Sequence, residues 1–160
     1  RFGKRNLVLA GAVLTMAAHI SLAFVPANLT YAVVVSAIRG IGKAPLFGCV
    51  FTMMADVVNY GHWKTGIRVQ ALVFSAATVG QKFGGGITGW AIGKLMDSSG
   101  FTGLVEEIPS AVSMVENLYI WGSVFAWAVI AVLMLLYHLD QEYDGIISDM
   151  EQKGLLKQAS

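Results

Sequence analysis

Residues 118–137 read LYIWGSVFAWAVIAVLMLLY and contain no charged side chain. An α-helix needs about 20 apolar residues to cross the hydrocarbon core of a bilayer, and this stretch has that length. Three stretches of similar character precede it, at residues 7–25, 29–55 and 69–95. None of the four shows the two-residue alternation of a barrel strand, so helices are the prediction. The sequence therefore predicts an all-α membrane protein with four transmembrane helices.

The composition agrees with a membrane protein and argues against several other classes. Hydrophobic residues make up 56% of the chain and charged residues 13%, whereas a soluble domain has about 25% charged residues. A net charge of +1 without a basic run gives no reason to expect nucleic acid as a partner. Cys49 is the single cysteine, which rules out an intrachain disulfide and a cysteine-based metal site. We find no nucleophile–base set, paired carboxylates or metal-ligand spacing, so we predict no enzyme, no metal site and no cofactor.

The charges also predict the orientation of the chain. Basic residues precede the first span and follow the second: Arg1, Lys4, Arg5, Lys64 and Arg68. The stretch between the last two spans has only acidic charges: Asp97, Glu106, Glu107 and Glu116. Because Lys and Arg favour cytoplasmic loops, we expect the basic segments and both chain ends to be cytoplasmic.

Two regions of different character follow from this reading. Residues 1–137 would hold the four spans, and residues 138–160 are polar. Within the second region Tyr143, Ile146, Ile147 and Met150 recur at helical spacing, continued by Gly154. This pattern predicts an amphipathic helix on the cytoplasmic face, and a disordered tail is the alternative.

The third predicted span contains a lysine near its middle, in the sequence LVFSAATVGQKFGGGI at residues 72–87. A charge at the centre of a bilayer costs at least about 2.5–3.5 kcal/mol unless other groups compensate. Ser75, Thr78 and Lys82 are three and four residues apart and so share one side of a helix, and Gln81 lies next to them. We expect this side to line a water-filled cavity and bind substrate. The alternative places Lys82 at a helix end, with its ammonium group reaching the headgroups.

Four other residues within the spans, namely Arg39, Lys43, Phe47 and His19, each allow two readings. Arg39 and Lys43 lie on one face of the second span, and either their partners lie outside this chain or both side chains extend to the headgroups. Phe47, one turn further, would offer a platform for a sugar ring or simply pack against a neighbour. His19 would relay protons or form a hydrogen bond between helices.

Glycines four residues apart are frequent in the third predicted span. They are Gly80, Gly84, Gly85, Gly89 and Gly93. Glycines at this spacing let a second helix backbone approach closely, so they predict a helix-packing face.

The sequence ADVVNYGHWKTGIR at residues 55–68 resembles a loop of a known transporter family. It is similar to the loop between helices ten and eleven of the glycoside–pentoside–hexuronide cation symporters, the melibiose-permease group of the major facilitator superfamily. The family pattern reads approximately A-D-x-x-D-Y-G-E-x-K-x-G-x-R. Three shorter strings also resemble the family: RFGKR at 1–5, QKFGG at 81–85 and YHLD at 137–140.

The resemblance implies that the chain is the last third of a twelve-helix major facilitator fold. It would comprise helices nine to twelve and the tail, in keeping with a first residue that is Arg1 rather than Met. The resemblance also implies that Asp56 and Arg68, with Lys64 in the same loop, belong to a cytoplasmic ion-pair gate. It further implies that Lys82 lines the sugar cavity, with Thr78 one turn away.

The function that the resemblance implies is symport of a sugar or glycoside, coupled to Na⁺ or H⁺ and operating by alternating access. The protein would lie in a bacterial inner membrane with a cytoplasmic C-terminus, and the coupling-cation site would lie in the preceding N-terminal helices of the same polypeptide. Asn59 and His62 depart from the family pattern, because acids are usual there, and each removes a negative charge from the gate. A non-transporting four-helix subunit or anchor is the alternative, disfavoured by Arg39, Lys43 and Lys82.

Overall fold

The computed structural model describes residues 3–25, 28–103 and 108–153, and every regular element within those ranges is helical. The helices are α1 (Lys4–Leu22), α2 (Leu29–Thr65), α3 (Gln70–Ser98), α4 (Pro109–Asn117), α5 (Ser123–Leu136) and α6 (Leu139–Gln152). A π-helical turn, Leu118–Gly122, joins α4 to α5, so that residues 109–136 form one continuous helix. The predicted all-α class is confirmed.

Within residues 3–25, 28–103 and 108–153, three helices have the length and apolar composition needed to cross a membrane. They are α1, α2 and the continuous helix Pro109–Leu136. The third predicted span is also helical, as α3, and its 29 residues are long enough. Its composition is more polar than that of the other three, because glycines, hydroxyl residues, Gln81 and Lys82 replace aliphatic side chains.

The helix bounds differ from the predicted spans by a few residues at most ends and by more than one helical turn at two. The second helix continues to Thr65 instead of ending near residue 55, so most of the predicted cytoplasmic loop is helical. It ends at Gly66, whose φ of 73° is left-handed and whose N–H donates to the carbonyl of His62 at 2.8 Å. The last helix begins at Pro109 and not at Leu118, and proline is well suited to a first helical turn.

The core lies where α1 packs against α2 and α5. Val8, Ala12 and Val35 are buried there. Gly11 and Gly42 face each other across the α1–α2 contact, and a Cβ atom on either would collide with the opposite helix. Backbones this close are possible only with glycine, which is the usual basis of close packing between membrane helices.

Several features predicted from the sequence lie outside the described residues. They are Arg1 and Phe2 of the basic turn, residues 26–27 between the first two helices, Glu106 and Glu107 of the acidic stretch, and the tail after Lys153, including Gly154. Within the described part of the tail, α6 is a helix whose Ile146 and Met150 are buried.

Candidate functional site

The predicted substrate-binding side of α3 forms a shallow groove. Ser75, Thr78 and Lys82 line it together with Phe74 and Val79. The Thr78 hydroxyl donates to the carbonyl of Phe74 at 2.9 Å, so its proton is used within the helix and its lone pairs are left for another donor. The groove therefore presents hydroxyl acceptors beside an ammonium donor.

Lys82 also borders a second groove on α3, formed with Phe83, Gly86, Ile87 and Trp90. No ion pair of Lys82 is found within the part of the chain that the structure describes. Gln81 is exposed next to it. Phe47 is 70% exposed on α2 and lines neither of these two grooves, so the structure does not bring it together with the α3 face.

The predicted gate residue Asp56 has a partner that sequence reasoning missed. Its carboxylate accepts from the ammonium of Lys4 at 2.5 Å, and Asp56 is only 2% exposed. The Lys4 ammonium also lies 4.9 Å from the centre of the Tyr143 ring. Lys4 is not among the gate residues that the family resemblance implies. The sequence did offer one indication of this pair, because the basic turn that contains Lys4 is predicted to lie on the same side of the membrane as Asp56.

The other two predicted gate residues, Lys64 and Arg68, follow Asp56 toward the end of α2 and beyond it. Lys64 is exposed, and its ammonium lies 5.6 Å from the centre of the Tyr60 ring. Arg68 lies in the connection between α2 and α3. The structure thus places Asp56 in a buried pair and Lys64 at a more exposed position.

The end of α2 also binds the tail helix. The Asn59 amide donates to the Tyr143 hydroxyl at 2.8 Å, and the Trp63 indole N–H donates to the Asp149 carboxylate at 2.5 Å. The hydrogen bond from Lys153, followed by that from Trp63, lowers the pKa of Asp149. Asn59, one of the two departures from the family pattern, therefore contacts the tail, and the other, His62, is 6% exposed.

A second polar cluster joins α1, α2 and the π-helical turn. Arg39 donates to the Tyr119 hydroxyl, and its guanidinium carbon lies 4.8 Å from the centre of the Tyr119 ring. His19 is fully buried, its Nδ1 bonds the Thr15 carbonyl at 2.8 Å, and its ring centre is 6.0 Å from that of Tyr119. Arg39 thus has a partner on a neighbouring helix. His19 forms its hydrogen bond within its own helix instead of between helices, and its proton-relay role stays a prediction.

The described residues contain no candidate metal-binding site. No group of three or more His, Cys, Asp or Glu side chains there could hold an ion.

A family model described as "MFS/sugar transport protein" matches residues 1–141. Among curated proteins, the chain is 29% identical to the isoprimeverose transporter of Lactiplantibacillus pentosus, over 96% of this chain and 32% of that protein. It is 28% identical to a putative sulfoquinovose importer of Escherichia coli, over 95% of this chain and 33% of that protein. It is 24% identical to the glucuronide carrier protein homolog of Escherichia coli, over 99% of this chain and 35% of that protein.

The chain thus spans about a third of the length of the curated relatives it matches. No solved structure gives a significant match. The family model, in contrast, covers most of the sequence, from the basic turn through the last membrane helix and into α6. This chain is a membrane protein that belongs to the MFS/sugar transport protein family.

Proposed function

We propose that the protein is a secondary active transporter of a sugar or glycoside in a bacterial inner membrane. Transport would be symport with Na⁺ or H⁺ by alternating access, in which two helical halves rock around a central site. The observation that carries this proposal is the family match over residues 1–141. The relatives named for isoprimeverose and glucuronide transport point to carbohydrate as the substrate class.

In this proposal the chain supplies the last four membrane helices of a twelve-helix carrier, with the C-terminus in the cytoplasm. The coupling cation binds in helices that precede this chain. The chain contributes one wall of the sugar cavity, and the substrate-binding side of α3 is that wall. Its exposure in the structure supports this role, because Ser75, Thr78 and Lys82 are accessible along one groove.

Lys82 has the central role in the cavity. Its ammonium group donates hydrogen bonds to sugar hydroxyls or serves as the charge partner of the acids that hold the cation. In either role its surroundings change as ligands bind and leave, which couples sugar to cation. A charged group within a membrane segment requires such partners.

The cytoplasmic ends of α1 and α2 form the gate. The buried Lys4–Asp56 pair ties the two helices together at this end, and Arg68 and Lys64 lie near the same end of α2. Breaking a pair that is largely removed from water changes the energy of a conformation far more than breaking an exposed pair. Neutralising Asp56 or Arg68 should therefore impair uphill accumulation more than sugar binding.

The test is cation-driven uptake of radiolabelled isoprimeverose and of a glucuronide into proteoliposomes containing the full-length protein. Wild-type protein should accumulate a carbohydrate against its gradient. Lys82→Ala should abolish accumulation, and Lys82→Arg should impair it despite the retained charge, since a guanidinium is larger and planar. Normal accumulation by Lys82→Ala, at normal expression, would contradict the role of Lys82. No accumulation of any carbohydrate by wild-type protein would contradict the proposed function.

A further inference from the structure

A groove of about 660 Å³ opens between the end of α1, the start of α2 and the π-helical turn. We call it the outer groove, because the charge pattern predicts that these helix ends face away from the cytoplasm. Its size lies within the range of about 300–1,000 Å³ typical of small-molecule sites. Its side chains with recognisable binding chemistry are Asn28, Tyr31, Glu116, Asn117, Tyr119 and Trp121.

Three aromatic rings, those of Tyr31, Tyr119 and Trp121, line the outer groove. Tyr119 and Trp121 are 48% and 51% exposed, so a large part of each ring is free to contact a ligand. Tyr119 is also held in place, since Arg39 donates to its hydroxyl and lies against its ring. Fixed aromatic faces are suited to the flat C–H faces of sugar rings, because little side-chain freedom is lost on binding.

The polar groups of the outer groove offer both donors and acceptors. Asn28 uses its side-chain oxygen to cap α2, accepting from Thr30 N–H at 2.9 Å, so its amide N–H groups are left for a ligand. Asn117 uses its amide to donate to the Ser113 carbonyl at 2.8 Å and keeps its oxygen as an acceptor. The Glu116 carboxylate is a further acceptor, and the Trp121 indole is a further donor.

This mixture selects a class of ligand. A hydroxyl group both donates and accepts, so several hydroxyls on one ring can satisfy such a lining. Among the described lining residues the one ionic side chain is Glu116, which repels phosphates, sulfonates and carboxylates. A single carboxylate with two amides is also a poor cage for a metal ion. A neutral carbohydrate fits best.

We propose that the outer groove is a second carbohydrate-binding site, separate from the substrate-binding side of α3. The proposal rests on the proposed function for the identity of the ligand. Tyr and Trp are also common where helices meet the membrane surface, without any ligand. The concave shape and the amide and carboxylate groups at the same place distinguish this groove from a simple aromatic belt.

The experiment is equilibrium binding of radiolabelled isoprimeverose to the purified full-length protein in a Lys82→Ala background. This background removes the α3 site but leaves the outer groove, so binding should persist. Adding Trp121→Ala should weaken the remaining binding about tenfold or more, as for a central aromatic contact. Adding Glu116→Gln, a change at an exposed position, should weaken it as well. Phe125→Ala is the matched control, since Phe125 is 73% exposed one turn further and lies outside the groove.

Three results would overturn the proposal. They are loss of all binding in Lys82→Ala alone, equal binding by the Trp121→Ala, Glu116→Gln and Phe125→Ala variants, and release of a bound phospholipid by Trp121→Ala without any change in sugar binding. Uptake by wild-type protein is measured in parallel. Absent uptake with Trp121-dependent binding would contradict the proposed function while leaving the outer groove intact.

Discussion

The contact between α1 and α2 and the exposed surface of α3 use the same kind of residue with opposite results. Gly11 and Gly42 lie in a contact so close that no Cβ atom fits, and the residues around them are buried. In α3 a Cβ added to Gly80, Gly84, Gly85, Gly86, Gly89 or Gly93 would meet no described atom within 4 Å. No described residue of α3 is buried.

The difference shows what glycine spacing can and cannot predict. Glycines permit two helices to approach, but the approach also needs a complementary neighbour. The helix-packing face predicted from the glycines of α3 has no partner helix within the described residues. The close contact that does form is between Gly11 of α1 and Gly42 of α2. In α3 one glycine, Gly86, lines the groove that Lys82 forms with Phe83, Ile87 and Trp90.

The most direct test of this difference adds side-chain volume to α2 at two positions, one inside the α1–α2 contact and one outside it. Gly42→Val should overpack the α1–α2 contact and lower the free energy of unfolding by about 1–3 kcal/mol or more. Gly40→Val is the matched control on the same helix, because a Cβ at Gly40 meets nothing within 4 Å. Thermal unfolding of the two purified variants gives the measurement. Equal melting temperatures would mean that the α1–α2 contact is not as close as described.

A second test separates ion pairing from backbone packing in the same unit. Lys4→Met leaves the buried Asp56 carboxylate without its partner, whereas Asp56→Asn leaves an ammonium group that is 30% exposed. Lys4→Met should therefore destabilise the protein more than Asp56→Asn does. We expect Lys4→Met to lower the free energy of unfolding by about 3 kcal/mol, the low end for a broken buried pair. The double variant should recover part of the loss. Strictly additive effects of the two changes would show that the pair is not coupled.

The smallest expected effect concerns the attachment of α6 to α2. Hydrogen bonds from Lys153 and then Trp63 lower the pKa of Asp149. A lowered folded-state pKa stabilises the attachment above the ordinary aspartate pKa of about 3.9, and this contribution is lost as the pH falls through the lowered value. Spin labels at Thr65→Cys and Gln152→Cys, in a Cys49→Ala background, should report separation of the two helices at acid pH.

Asp149→Asn should remove the pH dependence of that distance. Asp144→Asn, on an exposed part of the same helix, should keep it. A distance that does not change with pH in the parent protein, or that changes equally in Asp149→Asn, would contradict the assigned role of Asp149.

The helices, including α6 in the described part of the tail, were predictable because their signals are local. Apolar stretches of the right length and the spacing of Ile146 and Met150 need no knowledge of the rest of the fold. The extension of α2 to Thr65 was not predictable, because Asp56, Asn59 and Trp63 are polar and their partners are distant in sequence. Lys4 is 52 residues from Asp56, and Asp149 is 86 residues from Trp63.

In the candidate site, too, the features with local signals were predictable and those that depend on distant contacts were not. The shared side of Ser75, Thr78 and Lys82 follows from helical geometry alone, and one groove does contain all three. The pairing of Arg39 with Tyr119 depends on the rotation and depth of two helices, which charge patterns do not specify. For the same reason, sequence reasoning did not find the outer groove, whose lining comes from three separate segments.

The central claim is that the Ser75–Thr78–Lys82 side of α3 faces a water-filled cavity. The most direct test is the reaction of single cysteines with a membrane-impermeant maleimide in intact cells, using the full-length protein with Cys49→Ala. Thr78→Cys lies on this side, and Ala76→Cys lies approximately opposite on the same helix. The account predicts rapid labelling of Thr78→Cys and little labelling of Ala76→Cys. Labelling of Ala76→Cys alone, or of neither cysteine, would contradict it.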